Sequence, residues 1–154
     1  MKHLQTSVSQ RVFLPALILT TIFLLTSCRV QLLPAYDAKQ VELIEQTSRE
    51  CDLLYILMLE SDDRQYEKWM EPYAEIEANL GLLLLKSANK PLNKHSVRIA
   101  EITLEIWQKY KTQHKQNAPL SDATITLNRM YMADLFNAML VAEKAKELLG
   151  SLPE

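Results

Sequence analysis

The chain has 154 residues, 48% hydrophobic and 23% charged, the balance of one folded domain rather than a disordered segment. Its only glycines are Gly81 and Gly150, too few for a phosphate-cradling loop, a dinucleotide fingerprint or the tight turns of a many-stranded sheet. The formal net charge is −2 with no cluster of basic residues, so a nucleic-acid partner has no electrostatic footprint.

The first element in chain order is not expected to belong to the fold. Residues 1–27 hold Lys2 and Arg11 and no acidic residue, and Val12 to Leu25 is mostly apolar. That run is shorter than the roughly 20 residues needed to span a hydrocarbon core. A basic head followed by a short apolar run reads as a secretory signal peptide. It ends in Leu25-Thr26-Ser27-Cys28, which resembles the box of the bacterial lipoprotein signal. The resemblance implies cleavage before Cys28, a diacylglyceryl group on its thiol and an acyl chain on its new amino terminus. Position 29 is Arg rather than Asp, which in the enterobacterial sorting pattern implies the outer membrane, facing the periplasm. The resemblance covers residues 1–28 alone and implies nothing about activity. An uncleaved anchor with an incidental Cys28 is the alternative.

Losing Lys2 and Arg11 takes the net charge of the remaining chain to about −4. Cys51 is then left without a disulfide partner in an oxidising compartment, and packs as a small apolar side chain. Residues 28–36 form a short tether, at most about 30 Å from Cys28 to Asp37 when extended at ~3.3 Å per residue. A helical body over 37–150 and a tail over 151–154 follow.

Asp37 with Gln40 predicts a capping box, with Tyr36 and Val41 as the hydrophobic staple. The first helix then carries Val41, Ile44, Ser48, Cys51, Tyr55 and Met58 at alternating spacings of three and four. Residues 61–64 interrupt it. The second seam is Tyr66, Trp69, Tyr73, Ile76, Leu80, Leu83 and Ser87, with Pro72 either starting the regular helix or kinking it. After a stop at 89–93, a third helix places Ile99, Ile102, Ile106 and Tyr110 on one stripe, widened by Leu104 and Trp107. Ser121 is a good N-cap for the fourth helix, with Leu120 and Ile125 as its staple and Asp122 at the positive end of the dipole. Its seam runs through Ile125, Met132, Leu135, Phe136 and Met139, and Gly150 ends it. Long helices with short connections predict an all-α, up-and-down antiparallel four-helix bundle. A three-helix bundle, with the first two segments merged, is the alternative.

Two features offer partner-binding candidates. The antiparallel order would gather Tyr55, Met58, Tyr66, Trp69, Tyr73, Trp107, Tyr110, Met130 and Tyr131 at the end away from the lipid. Such an aromatic end is either plain core or an opening for a ligand or partner helix. The run from Leu80 to Leu85 is apolar all round, so Leu82 and Leu85 point away from the seam and need a cover. Val30, Leu32 and Leu33 of the tether, a second copy, another protein or the lipid surface would serve. Gly81 beside them predicts a close helix crossing.

Chemistry has little footing. Leu92 and Lys111 stand where Glu-x-x-His pairs with His95 and His114 would need glutamates, so a di-iron bundle site is absent. The two histidines are about 28 Å apart at ~1.5 Å per residue and are expected on the surface at the helix ends. Met130 and Met132 invite a Cu(I) reading, but neighbours two apart on a helix diverge by about 200°. Glu71, Glu75 and Glu77 read as a solvated face, and Glu50 and Asp52 would hinder rather than activate Cys51. No catalytic residue, metal site or cofactor beyond the lipid on Cys28 is expected. The chain reads as a non-enzymatic protein-interaction module of the bacterial envelope. By architecture alone it resembles small helical lipoproteins such as secretin pilotins, immunity proteins and exclusion proteins. A soft-ligand or metal-binding periplasmic sensor and a structural homo-oligomer closed through the second helix are the alternatives.

Overall fold

A computed structural model describes residues 34–150. Residues 1–33, where the signal peptide, the lipidated Cys28 and the leucines of the tether are expected, and the tail over 151–154 lie outside the described residues. The described chain is four helices without a strand: α1 Ala38–Glu60, α2 Tyr66–Ala88, α3 Lys94–Asn117 and α4 Asp122–Gly150. At ~1.5 Å per residue they are about 35–43 Å long. Each packs its backbone on two neighbours, α1 on α2 and α4, and α3 on α2 and α4, while across the diagonal large core side chains such as Tyr55 of α1 and Trp107 of α3 meet. The side-chain pairs run in opposite senses. Gln40 meets Glu143 while Asp52 meets Arg129, and Gln40 meets Ser87 while Glu50 meets Asn79. This is an up-and-down four-helix bundle with α1 and α2 as separate, antiparallel helices, not a merged pair. No described helix is long and apolar enough to cross a membrane.

Local sequence explains the helix starts. Asp37 caps α1 by accepting the Gln40 backbone N–H at 3.2 Å, and Ser121 caps α4 by accepting that of Thr124 at 3.2 Å. Leu120 and Ile125 are both buried at the α4 staple positions. The Asp37 capping box is only half made. The Gln40 side chain turns inward instead, because three helices present polar groups there. Pro72 sits inside a continuous α2 rather than at its start, leaving the Lys68 carbonyl without its helical donor.

The core seams follow the heptad pattern unevenly. All seven predicted α2 positions are buried. In α1, Ile44, Cys51, Tyr55 and Met58 are buried, but Gln40, Thr47 and Leu54 replace Val41 and Ser48, which are half-buried. The centre of α3 is displaced. Ser96, Ala100, Thr103, Trp107, Tyr110 and His114 form its buried line, and Ile99, Ile102 and Ile106 flank it half-buried. Small side chains at 96, 100 and 103 leave room for large ones from the facing helices, whereas a row of isoleucines there would overfill the centre. In α4, Leu135 is half-buried, and Asn128, Glu143 and Lys146 join the buried line.

One end of the bundle is closed by polar groups. Gln40 Nε2 donates to Ser87 Oγ at 2.9 Å and to Glu143 Oε1 at 3.2 Å, while Lys90 Nζ donates to Gln40 Oε1 at 2.6 Å. Lys146 pairs with Glu143 at 2.5 Å, and Lys90 with Asp37 at 3.0 Å. Asn93 Nδ2 donates to the Ser87 carbonyl at 2.8 Å, so this cluster ties all four helices. The hydrogen bond from Lys90 holds the Asp37 carboxyl below its usual range.

Gly81 makes no close crossing. A β-carbon built there meets nothing within 4 Å. Gly81→Ala is therefore expected to raise stability by about 0.5–1 kcal/mol in denaturant titrations, the helix propensity it lacks. Glu143→Ala leaves the buried Lys146 ammonium unpaired and should cost about 3–5 kcal/mol, whereas Glu143→Leu with Lys146→Met should return to within about 1 kcal/mol of the parent.

Candidate functional site

The aromatic residues do come together, but as core. Tyr73 packs between Trp107 (centroids 5.1 Å apart) and Tyr66 (6.0 Å), and Tyr55 meets Trp107 edge-on at 6.2 Å. Tyr66, Trp69, Tyr73, Trp107 and Tyr110 are all buried, and Trp69 also borders a groove beside α1. Met130 and Tyr131 are exposed on α4 and are not buried with this cluster. Met132 is buried while Met130 faces out, so the two thioethers do not converge.

His114 corrects the expectation of a surface residue. It is fully buried, its Nε2 2.9 Å from the Arg64 carbonyl and its Nδ1 3.2 Å from the Tyr73 hydroxyl. A carbonyl only accepts, so Nε2 carries the proton and Nδ1 accepts from Tyr73. Arg64 in turn donates to the Leu59 and Ser61 carbonyls at 3.0 and 3.2 Å and pairs with Asp122 at the start of α4. The α1–α2 turn is thereby locked onto α3 and α4. The signal that would have found His114 is its place seven residues after Trp107, on the α3 seam. His95 is exposed as expected.

Among the described residues, no group of three His, Cys, Asp or Glu side chains is placed to hold a metal ion. Cys51 is buried at 2% exposure, and burial followed by the nearby Asp52 charge pushes its thiol far above the ordinary range. A thiol held neutral is a poor nucleophile. Glu77 bridges to Lys111 at 2.7 Å and Gln108 at 2.9 Å on α3, while Glu71 and Glu75 are solvated.

The sequence reading did not anticipate a concavity beside α1. A cleft of about 360 Å³ runs between α1 and α4, lined by Cys51, Leu53, Ile56, Met132, Ala133 and Phe136 among others. The Asp52 carboxylate receives Arg129 Nε at 2.6 Å and Nη2 at 3.1 Å, a two-pronged clamp within the lining. A second groove of about 190 Å³ lies on the other side of α1, against Trp69, Pro72 and Ile76 of α2, and Leu53 borders both. Leu53 is 54% exposed and Leu57 44%, so α1 carries an apolar ridge between two grooves. Both leucines sit off the α1 seam, the same signal that marked Leu82 and Leu85. Those two are 43% and 56% exposed, uncovered by any described residue.

Comparison of the chain with models of protein families, with curated proteins and with solved structures finds no match in any of the three.

Two buried hydroxyl-bearing or ring side chains should respond oppositely to truncation. The Tyr55 hydroxyl is buried without a hydrogen-bond partner, so Tyr55→Phe is expected to leave stability unchanged or raise it by about 1 kcal/mol. His114→Ala opens a cavity and strands the Arg64 carbonyl, for a loss of about 2–4 kcal/mol in the same unfolding assay.

Proposed function

We propose that this protein is a lipid-anchored, non-enzymatic component of a bacterial envelope that receives an apolar helix of another envelope protein along α1. The residues Leu25 to Cys28 support the anchor, and the Arg at position 29 supports the outer membrane, facing the periplasm. The observation that carries the interaction is the exposed pair Leu53 and Leu57 on α1, set beside two grooves lined by apolar and charged side chains. Helix-in-groove recognition places apolar anchors at a spacing of three or four against such a surface. Covering each leucine would contribute about 1.5–3 kcal/mol, enough that an uncovered pair is a cost to the free protein. Leu53 lies about 22 Å along α1 from its start at ~1.5 Å per residue, so a partner would be met well above the lipid. The anchored bundle would then work as small helical lipoproteins of the pilotin, immunity or exclusion kind do, by holding a partner at the membrane.

The test is photo-cross-linking in intact cells from residue 53, with residue 109 on the exposed side of α3 as the reference position. A discrete heterologous adduct from position 53, lost when Leu57→Glu is added, is the expected result. No adduct, or one at twice the mass of the chain, would overturn the partner reading, the latter in favour of self-association. The mass of the native polypeptide checks the anchor separately, since an unmodified Cys28 or an attached residue 1–27 segment removes it.

A further inference from the structure

The α2–α3 corner is unlike the rest of the surface. Between Glu77 and Glu101 every charged side chain is positive: Lys86, Lys90, Lys94 and Arg98, joined by His95. In a chain whose acidic residues outnumber its basic ones, the antiparallel turn folds this stretch onto itself and makes a basic patch that no continuous run announces. Of these, Lys90 is committed to Asp37 and Gln40, and Arg98 shares Glu101 at 3.3 Å; Lys94 and His95 are exposed. The acidic groups of this end lie on α1 and α4. Glu143 is bound to Lys146, and Glu42, Glu45 and Glu147 are exposed on those two helices.

Apolar side chains project from the same corner. Leu85 lies about 5 Å and Leu82 about 9 Å from the end of α2 at ~1.5 Å per residue, both exposed. At the tip of the turn, Leu92 has φ 60° and is 60% exposed. A leucine in the left-handed region sets its β-carbon against a carbonyl, where glycine or asparagine serves at lower cost. Core packing does not repay that cost, because most of the side chain is outside. The chain also enters the described fold at this end, at Pro34, six positions after Cys28.

We infer that the α2–α3 corner docks on the anionic surface of a lipid bilayer, with Leu92, Leu85 and Leu82 entering the headgroup–acyl boundary and Lys86, Lys94 and Arg98 meeting the lipid phosphates. Leu85 and Leu82 lie within about 9 Å of the end of α2 at ~1.5 Å per residue, inside the 5–10 Å to which interfacial apolar faces sink, and the cations match a negatively charged leaflet. Docking in this way sets the bundle's tilt, lowering α2 and α3 toward the lipid and leaving the α1 ridge turned away from it. The inference rests on the anchored reading for the nearness of a bilayer, but the surface itself needs no lipid on Cys28.

The two are therefore separable by experiment. Residues 28–154 with Cys28→Ser contain the whole closed core and carry no acyl chain. This protein is mixed with phosphatidylethanolamine vesicles containing about 30 mol% phosphatidylglycerol, or with phosphatidylcholine vesicles, and sedimented. Binding to the anionic vesicles at least tenfold tighter than to the neutral ones, and weakened in about 0.5 M salt, is expected. Leu92→Asn should lower vesicle binding at least tenfold while raising the melting temperature, a combination that a merely structural leucine cannot give. Lys94→Glu should weaken binding without moving the melting temperature. Absent or lipid-indifferent binding, unchanged binding by Leu92→Asn, or a vesicle-free dimer broken by Leu82→Glu would overturn the inference. A native chain lacking lipid on Cys28 would sink the anchor and leave the vesicle result standing.

Discussion

Buried polar groups that must find one another fix this bundle's register. Apolar seams at heptad spacing permit two helices to slide by a turn with little change in burial, since leucine meets isoleucine as readily one layer down. The Gln40 amide does not tolerate such a slide. It reaches Ser87, Glu143 and Lys90 together, and a shift of one turn in α1, α2 or α4 would strand at least one of them in the interior. At the other end, His114 imposes the same condition on α3 through Tyr73 and the Arg64 carbonyl. Between these two polar closures lie Tyr55, Tyr73, Trp107 and Phe136, the largest fully buried side chains.

With both ends locked, the apolar residues that the fold does not use become informative. Leu53 and Leu57 on α1, and Leu82, Leu85 and Leu92 at the α2–α3 corner, contribute nothing to the core, yet their exposure costs solubility and, for Leu92, backbone strain. They divide by their company. The α1 ridge stands beside grooves of mixed character with a carboxylate–guanidinium clamp, the setting of a protein contact. The corner stands among Lys86, Lys94, His95 and Arg98, with Lys90 held by Asp37, and this excess of cations is the setting of an anionic interface. One bundle could thus hold a partner and set its own attitude on a membrane with surfaces about 20 Å apart along its axis.

Legibility in the sequence followed the number of independent cues at each place. In α2 the apolar spacing was unbroken from Tyr66 to Leu83, and all six positions, with Ser87 after them, are buried. In α3 hydrophobicity pointed to the stripe of isoleucines. The structure centres instead on Ala100, Thr103 and Trp107, because seam width depends on what the facing helices bring. His114 was misplaced for the same reason: a polar residue near a helix end looks solvated until Arg64 and Tyr73 are found beside it. Gly81 suggested a close crossing, but nothing lies near it.

By itself, the sequence determined the helical class, the four segments and their caps, and the leucines left off the seams, since each depends on neighbours within a few turns of the same chain. Only the tertiary structure decided which polar residues are buried, that the aromatic residues pack as one cluster, and that α1 and α4 leave a cleft between them. Those properties depend on side chains brought together from positions dozens of residues apart, and local periodicity carries no information about what the other helix presents.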